Sequence, residues 1–127
     1  MYSLENLPNC NLCTELSLTR TQVVVGDGFT DGPKIVFVGE APGANEDIQG
    51  KPFVGRSGQI LRKTLEALGF SEKDYYITNV VKCRPPENRD PKFEEAKNCF
   101  PYLQMQLEKF NPRIICSLGA HATKYLI

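Results

Sequence analysis

The chain has 127 residues, 41% of them apolar, with 15 basic and 15 acidic side chains and a formal net charge of zero. That suffices for one small domain with a core; it excludes wholesale disorder, and it removes global charge as a reason for nucleic-acid binding while leaving a local basic face open. No apolar run approaches membrane-span length and the start, MYSLENLPNC, lacks the basic-then-apolar shape of a signal peptide, so no membrane partner is expected and the default compartment is the cytoplasm.

In chain order, Cys10 and Cys13 form a CxxC pair in a polar N-terminal stretch. Residues 22–28, QVVVGDG, read as a short strand closed by a glycine turn. Residues 34–38, KIVFV, are the continuous apolar run expected of a strand covered on both faces. The stretch 39–58, GEAPGANEDIQGKPFVGRSG, follows it and feeds a helix. A glycine-rich loop leaving a buried strand is where α/β proteins place ligands, and this one also carries Glu40, Glu46, Asp47 and Phe53. It has neither the lysine of a phosphate-binding P-loop nor the spacing of a dinucleotide fingerprint.

Ser57 is the expected N-cap of a helix over 58–70, with Ile60, Leu61, Leu65 and Leu68 on one face and Gly69 as its stop. Residues 75–83, YYITNVVKC, read as a second buried strand, and 84–91, RPPENRDP, as a rigid polar loop. A helix over 92–109 has Phe93, Ala96, Leu103 and Leu107 on its apolar stripe, with Pro101 expected to kink or divide it and Asn111-Pro112 to end it. Residues 113–119, RIICSLG, read as a third buried strand, and 120–127 as the start of another helix. Strands alternating with helices imply an α/β fold with a mostly parallel sheet. A doubly wound sheet normally continues with at least one more strand, so the domain spanning 1–127 is expected to lack its C-terminal part.

Five cysteines in such a chain point away from disulfides and towards metal or catalysis. One CxxC pair plus Cys83 and Cys99 makes a four-thiolate set suited to an iron–sulfur cluster or tetrahedral zinc. The plainer alternative is a redox CxxC beside two buried structural cysteines. Cys116, inside RIICSLG, reads as a core residue.

Four segments taken together resemble the family 4 uracil-DNA glycosylases, the iron–sulfur members of the uracil-DNA glycosylase superfamily. They are Cys10-x-x-Cys13, the loop GEAPGANEDIQGKPFVGRSGQ, the stretch ITNVVKCRPPENRDP, and Cys99-x-Pro101. The resemblance implies a three-layer α/β/α fold and a [4Fe–4S] cluster on Cys10, Cys13, Cys83 and Cys99. It also implies hydrolysis of the N-glycosidic bond of deoxyuridine in single- or double-stranded DNA, releasing uracil in base excision repair, by a monomer. The uracil site would comprise backbone donors at Gly39 and Glu40, a stacking ring at Phe53, and Asn79, whose amide matches uracil at O4 and N3–H but not cytosine.

Other members of the superfamily carry a water-positioning aspartate where this chain has Ala41, so water handling falls to the candidates Glu40 and Glu46. Gly43 stands where those members place a thymine-excluding tyrosine. Lys51, Arg56, Lys82, Arg84 and Arg89 are the expected phosphate contacts. The family's downstream His-Pro-Ser loop has no counterpart here; the single histidine, His121, reads as a surface or helix-packing residue. Two other readings compete: an iron–sulfur DNA-binding or damage-sensing protein without catalysis, and a small zinc-stabilised module.

Overall fold

A computed structural model describes residues 2–127. Its centre is a four-stranded sheet in the order β1-β3-β2-β4, built from β1 (Asp27–Gly28), β2 (Ile35–Gly39), β3 (Tyr75–Asn79) and β4 (Ile114–Ser117). Strand β2 is central and runs parallel to both β3 and β4, while β1 pairs antiparallel with β3. The sheet is therefore mostly parallel, as the alternation of strand and helix patterns predicts.

Side chains alternate along the central strands, and each set meets its own helices. Val36, Val38 and Tyr76 pack with Leu16 of α1 (Thr14–Thr19), with Ala96, Tyr102, Leu103 and Phe110 of α4 (Phe93–Phe110), and with Ala122 of α5 (Ala120–Leu126). Phe37, Tyr75 and Ile77 pack on the opposite face with Leu65 and Leu61 of α3 (Arg56–Ala67). Helices on both faces of one sheet make the three layers.

Several elements differ from their sequence patterns. The expected strand at 22–28 reduces to Asp27–Gly28; before it, Val24 N–H donates to Lys82 O at 2.7 Å outside the regular ladder. The glycine-rich connection contains a helix, α2 (Ala44–Gln49), ended by Gly50 at φ 76°. Helix α3 starts at Arg56 with Gly55 at its N-cap, so Ser57 lies in its first turn instead of capping it. Of its proposed stripe, Leu65 is buried, whereas Ile60 and Leu68 face solvent. This helix covers the sheet with less than its full apolar face.

Helix α4 continues through Pro101. Buried residues on either side of the proline, Ala96 and Cys99 before it and Tyr102 and Leu103 after it, join the same core, so packing overrides the local break. Phe93 is outside that stripe and exposed. Among the described residues strand β4 pairs with β2 alone, and Ile114 and Ile115 are exposed, where its composition predicts a buried strand. No described helix is long and apolar enough to cross a membrane.

Candidate functional site

The three residues that matter most here meet at the C-terminal ends of β2 and β3. Gly39 and Asn79 are register partners across the parallel ladder. A Cβ on Gly39 would stand 2.5 Å from Asn79 Oδ1 and 2.5 Å from Phe53 Cζ, so glycine is required for the amide and the ring to converge. Asn79 is 2% exposed, yet its side-chain amide makes no hydrogen bond to protein among the described residues, and no buried side-chain atom there is left without a partner. The amide therefore faces open space: a cavity of about 230 Å³ lined by Ala41, Gly43, Glu46, Phe53, Ser57 and Asn79.

Phe53 is held in the left-handed region at φ 52°, a strained conformation for a bulky residue. Arg62 on α3 fixes it, donating from Nε to Phe53 O at 3.1 Å and from Nη2 to Pro52 O at 2.8 Å. Arg62 is in turn paired with Asp27 at 3.3 Å. Gly58 completes the arrangement, because a Cβ there would lie 2.0 Å from Phe53 O.

Glu46 lies on the cavity wall with its carboxylate fully engaged. Oε1 accepts from Gly43 N–H at 3.0 Å, and Oε2 accepts from Val54 N–H at 3.0 Å and Gly55 N–H at 2.8 Å. One side chain on α2 thus ties both flanks of the loop together. Asp47, read from sequence as part of the same acidic loop, is buried and accepts from Thr21 N–H at 2.9 Å, anchoring the N-terminal segment instead.

Glu40 does not line this cavity. Its carboxylate lies 3.4 Å from His121 Nδ1, and together with Asp90 these groups present ligand atoms within 4.8 Å of one another. Burial pushes the Glu40 carboxyl above its usual range; His121 opposes that and Asp90 adds to it. No sequence pattern marks this neighbourhood, because its members come from the end of β2, the loop before α4 and the start of α5.

The second centre is the cysteine set. Cys10, Cys13, Cys83 and Cys99 line one pocket with Leu16, Val81, Arg20 and Asn98. Nitrogen donors approach three of the sulfurs: Arg20 Nη1 at 3.2 Å from Cys83, the Lys82 N–H at 3.3 Å from Cys99, and Asn98 Nδ2 at 3.7 Å from Cys13. Burial pushes the Cys99 thiol up to about 12 and raises Cys83 and Cys13 as well. Among the described residues no three of these sulfurs lie within 4.8 Å of one another. Cys116 stands apart, half-buried in the α3-side cluster.

Three of the five expected phosphate contacts are engaged elsewhere. Lys82 is 0% exposed, so its charge cannot reach DNA; it bends back into the core. Burial pushes its ammonium down to about 7, while oxygen acceptors around it favour the charged form. Arg89 is held by Glu95 at 2.8 Å and by Glu15. Arg84 donates to Asn88 Oδ1 at 2.7 Å, and Lys51 and Arg56 are exposed.

The model of the uracil DNA glycosylase superfamily matches residues 26–127. The chain belongs to that superfamily. It is 49% identical over 96% of its length to a type-4 uracil-DNA glycosylase of Saccharolobus solfataricus, and 49% identical over 97% to one of Thermotoga maritima. A type-4 enzyme of Archaeoglobus fulgidus is 46% identical over 97%. The chain spans 56%, 63% and 61% of the lengths of these three relatives. Superfamily membership covers the loop, Asn79, Cys83 and Cys99; Cys10 and Cys13 precede the matched residues.

Proposed function

We propose that this chain carries the uracil-recognition part of a DNA-repair glycosylase that hydrolyses the N-glycosidic bond of deoxyuridine in single- or double-stranded DNA. The observation that carries the reading is the unengaged Asn79 amide facing a cavity beside the Phe53 ring over Gly39. An extruded uracil would stack on Phe53 and offer O4 to the Asn79 NH2 and N3–H to its carbonyl oxygen. Cytosine reverses both polarities and would leave buried groups unpaired.

Breaking the C1′–N1 bond sends its electron pair to the base, with charge developing at uracil O2. Backbone N–H groups at Gly39–Glu40, where the ladder ends, are suited to meet it without reorganising. Water then bonds to C1′, and its proton ends on the departing uracil anion, leaving free uracil and an abasic sugar. Glu40 is our candidate for that water, with the His121 imidazole 3.4 Å from its carboxylate and Asp90 beside it. Glu46, whose oxygens already accept three N–H groups, shapes the pocket. On this reading residues 1–127 form one glycosylase-like domain, and no His-Pro-Ser loop among them supplies the leaving-group histidine that the family resemblance implies.

The four cysteines fit a [4Fe–4S] cluster. They share one pocket, and N–H donors point at three of the sulfurs. When bound, such a cluster would join the N-terminal segment, the end of the β3 stretch and α4, contributing folding free energy. Exposed Lys51 and Arg56 remain for phosphate contacts.

The test is uracil release from single- and double-stranded oligonucleotides by this chain and by a version extended along its natural reading frame. Abasic product from the extended protein supports the assignment. Its absence from both, with iron bound, would overturn it.

A further inference from the structure

Lys82 sits in the core among oxygen atoms. Its Nζ donates to Gln106 Oε1 at 2.6 Å, to Asn79 O at 2.7 Å and to Thr78 Oγ1. These use all three ammonium donors. The acceptors are themselves held: Thr78 Oγ1 donates to Val25 O at 2.8 Å, and Gln106 Nε2 donates to the same oxygen at 3.1 Å. Among the described residues no carboxylate pairs with Lys82. A buried ammonium without a paired carboxylate is costly even with the Cys99 sulfur nearby to favour its charge. Its placement therefore calls for another reason.

The geometry supplies one. Strand β1 is in register with β3 only as far as Ile77, so the Asn79 carbonyl lies beyond its last pair on that side. Lys82 Nζ provides the missing donor. On the other side, Val80 N–H donates to Gly39 O and Val81 N–H to Glu40 O, both at 2.9 Å. The Asn79 peptide is thus fixed from two directions, while its side chain makes no protein hydrogen bond.

We propose that Lys82 is a positioning residue for base discrimination: by holding the Asn79 carbonyl against Thr78 and Gln106, it sets the direction in which the Asn79 amide enters the cavity. Displacing that main chain would move the Asn79 amide off the position and plane at which it meets uracil O4 and N3–H, and so weaken its selection against cytosine. The inference rests on the uracil-reading role of Asn79 proposed above and deepens it, since Lys82 touches no substrate itself.

Lys82→Met keeps the volume of the side chain and removes its donors. The expected result, in the naturally extended protein with its iron content verified, is a thermal midpoint equal to or above that of the parent. The ratio of uracil to cytosine release should fall tenfold or more, and crystals of the variant should show the Asn79 main chain and its Cβ displaced. An unchanged ratio with Asn79 superimposing on the parent would overturn the proposal. If Lys82→Met does not fold, Gln106→Glu, which keeps an oxygen acceptor, and Gln106→Leu, which removes it, carry the same contrast. The first should retain discrimination and the second lose it, and equal behaviour counts against the idea. A parent that releases no uracil counts against the proposed function alone. The Asn79 orientation in parent and variant crystals then still decides the role of Lys82.

Discussion

At the scale of single residues, the site depends on what is absent from Gly39 as much as on what Phe53 and Asn79 present. Gly39→Ala should lower kcat/KM for uracil release with little change in thermal midpoint, because its Cβ would displace the amide and the ring, whose atoms lie 2.5 Å away, before it disturbs the strand. Phe53→Ala removes a stacking surface worth roughly 1–3 kcal/mol per base, and a rise in KM on single-stranded substrate is the measurement that checks it. Asn79→Asp should reduce the preference for uracil over cytosine, and an unchanged ratio of the two rates would remove Asn79 from recognition. Phe53 was readable from sequence as a ring in a glycine-proline loop, but its left-handed backbone and its fixation by Arg62 were not, since α3 brings Arg62 back across the loop.

At the scale of elements, two carboxylates organise connections. Glu46 closes the glycine-rich loop, and Glu95 closes the start of α4 by accepting from Lys92 N–H at 2.8 Å while pairing with Arg89. The Arg89 guanidinium holds the Glu95 carboxyl below its ordinary value of 4.5, with burial opposing. A depressed folded-state pKa means the contribution is complete above the unfolded value and is lost as pH falls through the folded one. Urea unfolding between pH 7 and pH 3 should therefore show stability falling below about 4.5, with Glu95→Gln less stable at neutral pH and flatter on the acid side. Helix α4 also shows why element boundaries escape local rules: Pro101 signals a break, and the burial of Cys99, Tyr102 and Leu103 around it prevents one.

At the scale of the whole molecule, the cysteine pocket and the cavity are connected through the short stretch from Asn79 to Cys83. Lys82 lies between them, its side chain on the Asn79 carbonyl and its backbone N–H on Cys99. If a [4Fe–4S] cluster fills the pocket, removing iron by chelation should lower the thermal midpoint and weaken DNA binding together. Visible absorption, unfolding and oligonucleotide affinity measured on one sample check this, and loss of colour without either change would contradict it. Cys99→Ala should behave as the chelated protein does.

The sequence by itself determined the α/β class, the order of the main strands and helices, the glycine-rich loop as the connection leaving β2, and the four cysteines as a candidate set. Each of these is written in local periodicity or in spacing. The tertiary structure decided which groups are free to act. Lys82 and Arg89 have the charge of phosphate contacts, but folding turns one into the core and pairs the other with two carboxylates. His121, unremarkable on its own helix, is brought to Glu40. The Asn79 amide and the Phe53 ring converge because Gly39 across the ladder has no Cβ. Chain order cannot encode such outcomes directly, because they depend on which surfaces meet when distant segments pack.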